Sequence, residues 1–186
     1  MEIKNEKIAY DGKYKVKLYD VHNPNKDTTF VRECFERGDS VAALVFDSDT
    51  QTFLFTKQFR IGSQSDLIEI VAGSMDQPNE TPQEALFREL QEELGIEVVT
   101  DENGLRCHPL GAFYTSPGAC SEKIHLFIID KINRIGKGGG VEDETVELVE
   151  FTFQELLESV NNNIITDLKT IFAIHVFIST QQMQNV

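Results

Sequence analysis

A mixed α/β sandwich is the fold class this sequence predicts, and three observations carry the prediction. Short segments with period-2 alternation or continuous apolar character recur from Lys15 to Phe151, as the strands of a sheet require. In their midst, Thr81-Pro82-Gln83-Glu84 has the form of a capping box with proline at the first helical position, so a helix opens at Pro82. A last segment, from about Asp167 to Gln182, carries its apolar residues at helical spacing. Neither element type dominates, so the expected arrangement is a central mixed sheet covered by helices.

The composition limits the classes of function. At 186 residues with 40% hydrophobic content, the chain suffices for one domain, or one domain with a modest extension, around a sizeable core. Its formal net charge of −14 argues against nucleic acid or an anionic membrane as partner and favours attraction of cations. An anionic substrate would therefore need basic side chains or metal close by. Cys34, Cys107 and Cys120 stand singly, without Cys-x-x-Cys spacing, which fits reduced thiols and a cytoplasmic location. The polar N-terminus is unlike a signal peptide, and no apolar run is long enough to span a bilayer.

Residues 1–39 read as a β extension. Lys15–Tyr19 and Thr29–Phe35 alternate with period 2 around a turn at His22–Asp27. Two or three such strands cannot form a core alone, so they are expected to lean on the main domain or on a second subunit, which makes a homodimer the expected assembly.

The main domain, 40–186, opens with the buried-strand run Val41–Phe46 and a hairpin loop at Asp47–Gln51. In the following strand, Thr52–Arg60, alternation puts Leu54, Thr56, Gln58 and Arg60 on one face and Phe53, Phe55, Lys57 and Phe59 on the other. Leu67–Val71 reads as a strand that Gly73 ends in a sharp turn. On the helix from Pro82, Leu86, Leu90 and Leu94 form the buried stripe, with Glu89, Glu92 and Glu93 beside it and Gly95 as a left-handed C-cap. Like charges at that spacing repel by only about 0.2–0.5 kcal/mol, so the glutamates alone are compatible with an ordinary solvated face.

Beyond the helix, His108–Thr115 and Ser121–Ile129 read as strands joined through the turn Ser116-Pro117-Gly118. Gly138-Gly139-Gly140 followed by Glu142-Asp143-Glu144 reads as a mobile or unusually shaped loop, able to carry a carboxylate into a site. Val146–Phe151 alternates as a strand, Thr152 caps a helix to Asn161, and Thr166 or Asp167 caps the last helix, where His175 reads as a packing residue.

Gly73, Glu80, Arg88-Glu89-Leu90, Glu92-Glu93 and Gly95-Ile96 resemble the Nudix box: a glycine, a glutamate, then Arg-Glu-apolar-x-Glu-Glu-x-Gly-apolar. The second half matches throughout. In the first half, six residues separate Gly73 from Glu80 where the usual pattern has five, an insertion assigned to the loop at Asp76–Asn79. Gln58-Phe59-Arg60 resembles the Gln-x-Arg element of sugar-nucleotide members. Tyr114-Thr115-Ser116-Pro117-Gly118 with Glu122 resembles a segment of the ADP-ribose and GDP-mannose pyrophosphatases, and the 138–144 loop is similar to that of the GDP-mannose branch.

The resemblance implies a Nudix α/β/α sandwich and hydrolysis of a nucleoside diphosphate sugar, GDP-mannose or ADP-ribose, to a nucleoside monophosphate and a sugar phosphate. It implies Mg²⁺, or Mn²⁺, as two or more ions held by Glu89, Glu93, the Ala72 carbonyl and Glu144, with Glu92 bound directly or through water. Oxygen-only donors suit these hard cations. Glu142 is the implied general base, with the choice between it and Glu144 open. By the same resemblance Arg88 is expected to orient the carboxylates, and Gln58, Arg60, Ser116, Gly118 and Glu122 are expected to contact the substrate. Two readings compete with this one: hydrolysis of another nucleoside diphosphate derivative, and a non-catalytic sugar-nucleotide-binding module, which an eroded box would favour.

Overall fold

The computed structural model describes residues 1–140 and 145–184, the side chains of 181–184 apart. Two compact units emerge: residues 1–39 with 113–124, and residues 40–112 with the chain from 125 onward.

In the first unit, β1 (Glu2–Asp11), β2 (Lys15–Asn23) and β3 (Thr28–Glu36) form an antiparallel sheet in that order, with β2 central. Asp27, in the left-handed region at φ 48°, closes the second hairpin. β1 is exposed along its whole length. Phe35 forms a bridge to Cys120, with its N–H donating to Ala119 O at 2.8 Å and its carbonyl accepting from Ser121 N–H at 3.1 Å.

The second unit is built on a seven-stranded sheet. Its path runs β11 (Cys107–Tyr114), β12 (Lys123–Ile129), β4 (Ser40–Asp47), β5 (Thr52–Arg60), β14 (Glu147–Thr152). β6 (Ser65–Glu69) pairs with β5, and β7 (Val71–Ser74) pairs with β4. The run Leu67–Val71 is therefore two strands, not one: the chain leaves β5 after Glu69 and joins β4 at Val71. Gly73 does not end it, because it lies within β7 opposite Val41.

β4 is apolar on both faces because both are covered. Val41, Ala43 and Val45 join Leu54 and Val71 in a core with Ala85, Leu86, Leu90 and Leu94 of the acidic helix. On the opposite face Phe46 and Phe53 meet Phe177 at 6.1 and 5.1 Å between ring centroids, and Phe53 meets Phe153 at 6.3 Å. Phe153 opens α2 (Phe153–Asn161), capped by Thr152, and Phe177 lies on α3 (Leu168–Gln184), where the Asp167 carboxylate accepts from Thr170 N–H at 3.0 Å. The result is a sheet between two helical layers, as predicted. His175 is a correction: Ala173 and Ile174 face inward while His175 is exposed.

Small pairings complete the unit. β8 (Ile96–Val98) pairs with β13 (Ile132–Arg134), and β9 (Thr100–Asp101) with β10 (Gly104–Leu105).

Candidate active site

The acidic helix begins where the sequence places it. The Thr81 hydroxyl accepts from Glu84 N–H at 3.3 Å while the Glu84 carboxylate accepts from Thr81 N–H at 2.8 Å. α1 (Pro82–Glu89) then widens into a π-helical turn, Leu90–Leu94, which Gly95 ends at φ 64°. Such turns are rare and recur at functional sites. Here the turn carries Glu92 and Glu93. Leu90 and Leu94 stay in the core on either side, so Glu93 is only 4% exposed and Glu89 only 9%.

Two features hold these carboxylates. Gly73 makes room for one of them: a Cβ there would lie 1.9 Å from Glu89 Cδ. That close approach, rather than a turn, is what glycine supplies at 73. Arg88 gathers the rest. Its Nε and Nη2 donate to the two Glu80 oxygens at 3.1 and 3.3 Å, Nη1 to Glu89 Oε1 at 2.5 Å and Glu92 Oε2 at 3.4 Å, and Nη2 also to Ser74 O at 3.1 Å. Hydrogen bonding to Glu80 above all, opposed by partial burial and reinforced by Glu89, pushes the guanidinium pKa well above its ordinary value. Nη2 also pairs with Asp76 Oδ1 at 3.5 Å, so Arg88 meets four carboxylates and acts as their organiser. The loop with the extra residue still delivers Glu80 to it: a turn bonds Glu80 N–H to Gln77 O at 3.3 Å, with Asn79 left-handed at φ 64°.

Arg60, on the β5 face that also bears Leu54, is clamped by a carboxylate the sequence reading passed over. Its Nε and Nη2 donate to Glu69 Oε1 and Oε2 at 3.0 and 2.8 Å, and Lys169 Nζ donates to Glu69 Oε2 at 2.7 Å. Lys169 also pairs with Asp167 at 3.0 Å, so the α3 cap and Arg60 share one ionic network. Burial works to raise the Glu69 pKa, but Arg60 and Lys169 outweigh it and hold the carboxyl below its usual range. Burial likewise opposes the Arg60 charge, while Glu69 and then Glu93 favour it, and its pKa is raised. The influence of Glu93 ties Arg60 to the acidic turn. Glu69 had one legible signal: it is the single charge inside the run Leu67–Val71, and a charge buried in a strand must be paired.

Gln58 is half-buried on the same β5 face, and Ala72 lies opposite Ala42 in β7. Ser116, Gly118 and Glu122 belong to the first unit. Glu122 is 8% exposed, accepts from Thr115 Oγ1 at 3.1 Å and pairs with Arg37 Nε at 3.4 Å. Ser116 O accepts from Ala119 and Cys120 N–H at 3.1 and 2.9 Å, which forms the turn around Gly118. Glu142 and Glu144 lie outside the described residues.

Among the described residues no three ligand side chains stand ready grouped around a metal position. The donor set nonetheless fits a hard divalent cation. Glu89, Glu92 and Glu93 offer only oxygen, two of them are shielded from water, and a cradle that any Cβ at 73 would fill receives Glu89. A divalent cation held there would neutralise phosphate oxygens and lower the pKa of a bound water.

The NUDIX domain family model matches residues 36–168. The chain is 32% identical over 182 residues, 92% of its length and 91% of the other, to a GDP-mannose pyrophosphatase of Cronobacter sakazakii. It is 33% identical over 181 residues, 91% of each chain, to a GDP-mannose pyrophosphatase of Salmonella paratyphi B. Among solved structures it is similar in fold to one described as an ADP compounds hydrolase, with a TM-score of 0.81 at 18% identity over 98% of this chain and 95% of that one.

Proposed function

The chain belongs to the Nudix family of pyrophosphohydrolases, and from that premise we propose that it hydrolyses the pyrophosphate bond of a nucleoside diphosphate sugar, GDP-mannose before ADP-ribose. The products are a nucleoside monophosphate and a sugar phosphate. The observation that carries this reading is the intact acidic turn, with Glu89 and Glu93 buried and Arg88 bridging Glu80, Glu89 and Glu92, in a chain similar over nine-tenths of its length to proteins named for that reaction.

Glu89, Glu93, the Ala72 carbonyl and Glu144 hold Mg²⁺, or Mn²⁺, as two or more ions, with Glu92 bound directly or through water. Bound there, the metal supplies charge neutralisation of the diphosphate and acidification of the attacking water. Arg88 keeps the carboxylates aimed against their mutual repulsion. Arg60, fixed by Glu69, presents its remaining edge to the diphosphate, and Gln58, Ser116, Gly118 and Glu122 complete the substrate contacts. Glu142 takes the proton as water oxygen attacks one phosphorus and the bond to the bridging oxygen breaks, for which it must come within about 3 Å of that water.

The same reading makes the protein a cytoplasmic homodimer joined through residues 1–39, with neither nucleic acid nor membrane as partner. Among the described residues no helix is long and apolar enough to cross a membrane.

A panel of GDP-mannose, ADP-ribose, a dinucleoside polyphosphate and coenzyme A, each with Mg²⁺, tests the proposal. Release of GMP and mannose 1-phosphate is the expected result. Binding of sugar nucleotides without turnover of any substrate would leave a binding module instead.

A further inference from the structure

The glycine run at 138–140 is bonded to the backbone of the acidic turn. A helix leaves its last carbonyls without intrahelical partners. At this C-terminus Gly95 N–H takes the Gln91 and Leu90 carbonyls, and the next two are taken from outside the helix. Gly139 N–H donates to Glu93 O at 2.9 Å, and Gly140 N–H to Glu92 O at 3.1 Å. Just before them, Ile135 and Gly136 N–H both donate to Gly95 O, at 2.8 and 2.9 Å. Just after, Val146 N–H returns to Gly139 O at 3.2 Å.

The fit excludes side chains. Gly138, Gly139 and Gly140 have φ of 63°, 117° and 82°, a region L-residues rarely adopt. A Cβ on Gly138 would lie 2.2 Å from the Glu93 carbonyl oxygen, and one on Gly95 would lie 2.6 Å from the backbone of Gly136 and Gly138. Backbone therefore packs on backbone where Glu92 and Glu93 project. At a helix end of this kind solvent could satisfy the carbonyls of Glu92 and Glu93, and any polar loop could follow. The chain instead uses successive glycines to lay a strap across the rear of its two carboxylate-bearing residues.

We propose that Gly138–Gly140 is a positioning clasp: through the Glu92 and Glu93 carbonyls it fixes the carboxylates of the acidic turn. The glycines have no side chain to offer substrate or metal. They act through Glu93, which Gly138 abuts, and through Glu92. This inference rests on the reading of Glu93 as a metal ligand.

The test compares three alanine variants with wild type in Mn²⁺ binding without substrate, in the Mg²⁺ dependence of turnover, and in amide exchange of the wild-type protein. Gly104→Ala is the control, because Gly104 has φ 97° with nothing within 4 Å of its Cβ position, so it imposes comparable strain in the β9–β10 turn and no contact. Gly139→Ala strains the clasp without a clash, since only Val146 O, at 4.0 Å, lies near its Cβ position, and Gly138→Ala adds the collision with Glu93 O. Loss of outer support for a metal ligand typically costs about 10–100-fold in affinity. Gly138→Ala is expected to weaken Mn²⁺ binding and raise the Mg²⁺ requirement within that range, Gly139→Ala less so, and Gly104→Ala not at all. Slow exchange at the Gly139 and Gly140 amides of the wild-type protein is expected whether or not a variant folds.

Exchange of those amides at the free-peptide rate overturns the clasp. So does wild-type Mn²⁺ affinity in folded Gly138→Ala when Glu93→Gln has lost it, which leaves the metal reading standing. Unchanged Mn²⁺ affinity in Glu93→Gln overturns both.

Discussion

At the scale of single residues, Glu69 sets the electrostatics at the end of β5. It is buried, accepts from both Arg60 and Lys169, and is held below its ordinary value of 4.5. A carboxyl with a depressed folded pKa contributes stability that is present above its unfolded pKa and is lost as pH falls through the folded one. The melting temperature should therefore stay nearly level from neutral pH to about pH 5 and drop below pH 4.5. In Glu69→Gln the component of that acid limb owed to Glu69 should disappear. The substitution should also cost about 3 kcal/mol at neutral pH, the low end for breaking a buried pair, because the Arg60 side chain keeps 37% exposure and water compensates it. Chemical denaturation of both proteins at pH 7 and pH 4 measures both effects. An identical acid limb in the two proteins would remove Glu69 from this account.

At the scale of elements, α1 and the π-turn depend on what lies beneath them. Gly73 in β7 is the clearest dependency, since a Cβ there would overlap the Glu89 carboxylate. Gly73→Ala should drive Glu89 from its place and lower kcat by at least the roughly 10–100-fold that lost metal support entails, while the apolar packing of Leu86, Leu90 and Leu94 survives. Steady-state kinetics with circular dichroism checks both parts, and wild-type kcat would contradict the role given to Glu89. The helix itself was legible in the sequence because each device that makes it is local: the Thr81 box, Pro82, the leucine stripe and Gly95 lie within one turn of what they act on. The π-turn was not, because no residue type specifies it. The break between β6 and β7 was hidden for a related reason, since a run apolar on both faces carries no mark of where its pairing partner changes. β1 left no period-2 signal because neither of its faces is buried. Gly73 and the glycines at 138–140 were visible as glycines, but the reasons for them are contacts with Glu89 and Glu93 far along the chain.

At the scale of the molecule, a chain of formal net charge −14 is to handle a substrate that is itself an anion. The fold answers by concentrating the acids of one turn beside a guanidinium, Arg88, and setting a second, Arg60, at the end of β5. The class of fold was legible from periodicity, and the acidic helix with Arg88 beside its glutamates from the local motif. The ionic network that fixes Arg60 joins β5, β6 and α3, elements distant in sequence, and only folding reveals it. The central claim is that this acidic turn holds the metal for cleavage of a nucleoside diphosphate sugar. It is tested most directly by ³¹P NMR of GDP-mannose incubated with Mg²⁺ and either wild-type protein or Glu93→Gln. The account predicts that the diphosphate resonances give way to those of GMP and mannose 1-phosphate with wild type and persist with the folded variant. Intact diphosphate with both proteins, or equal turnover by both, would contradict it.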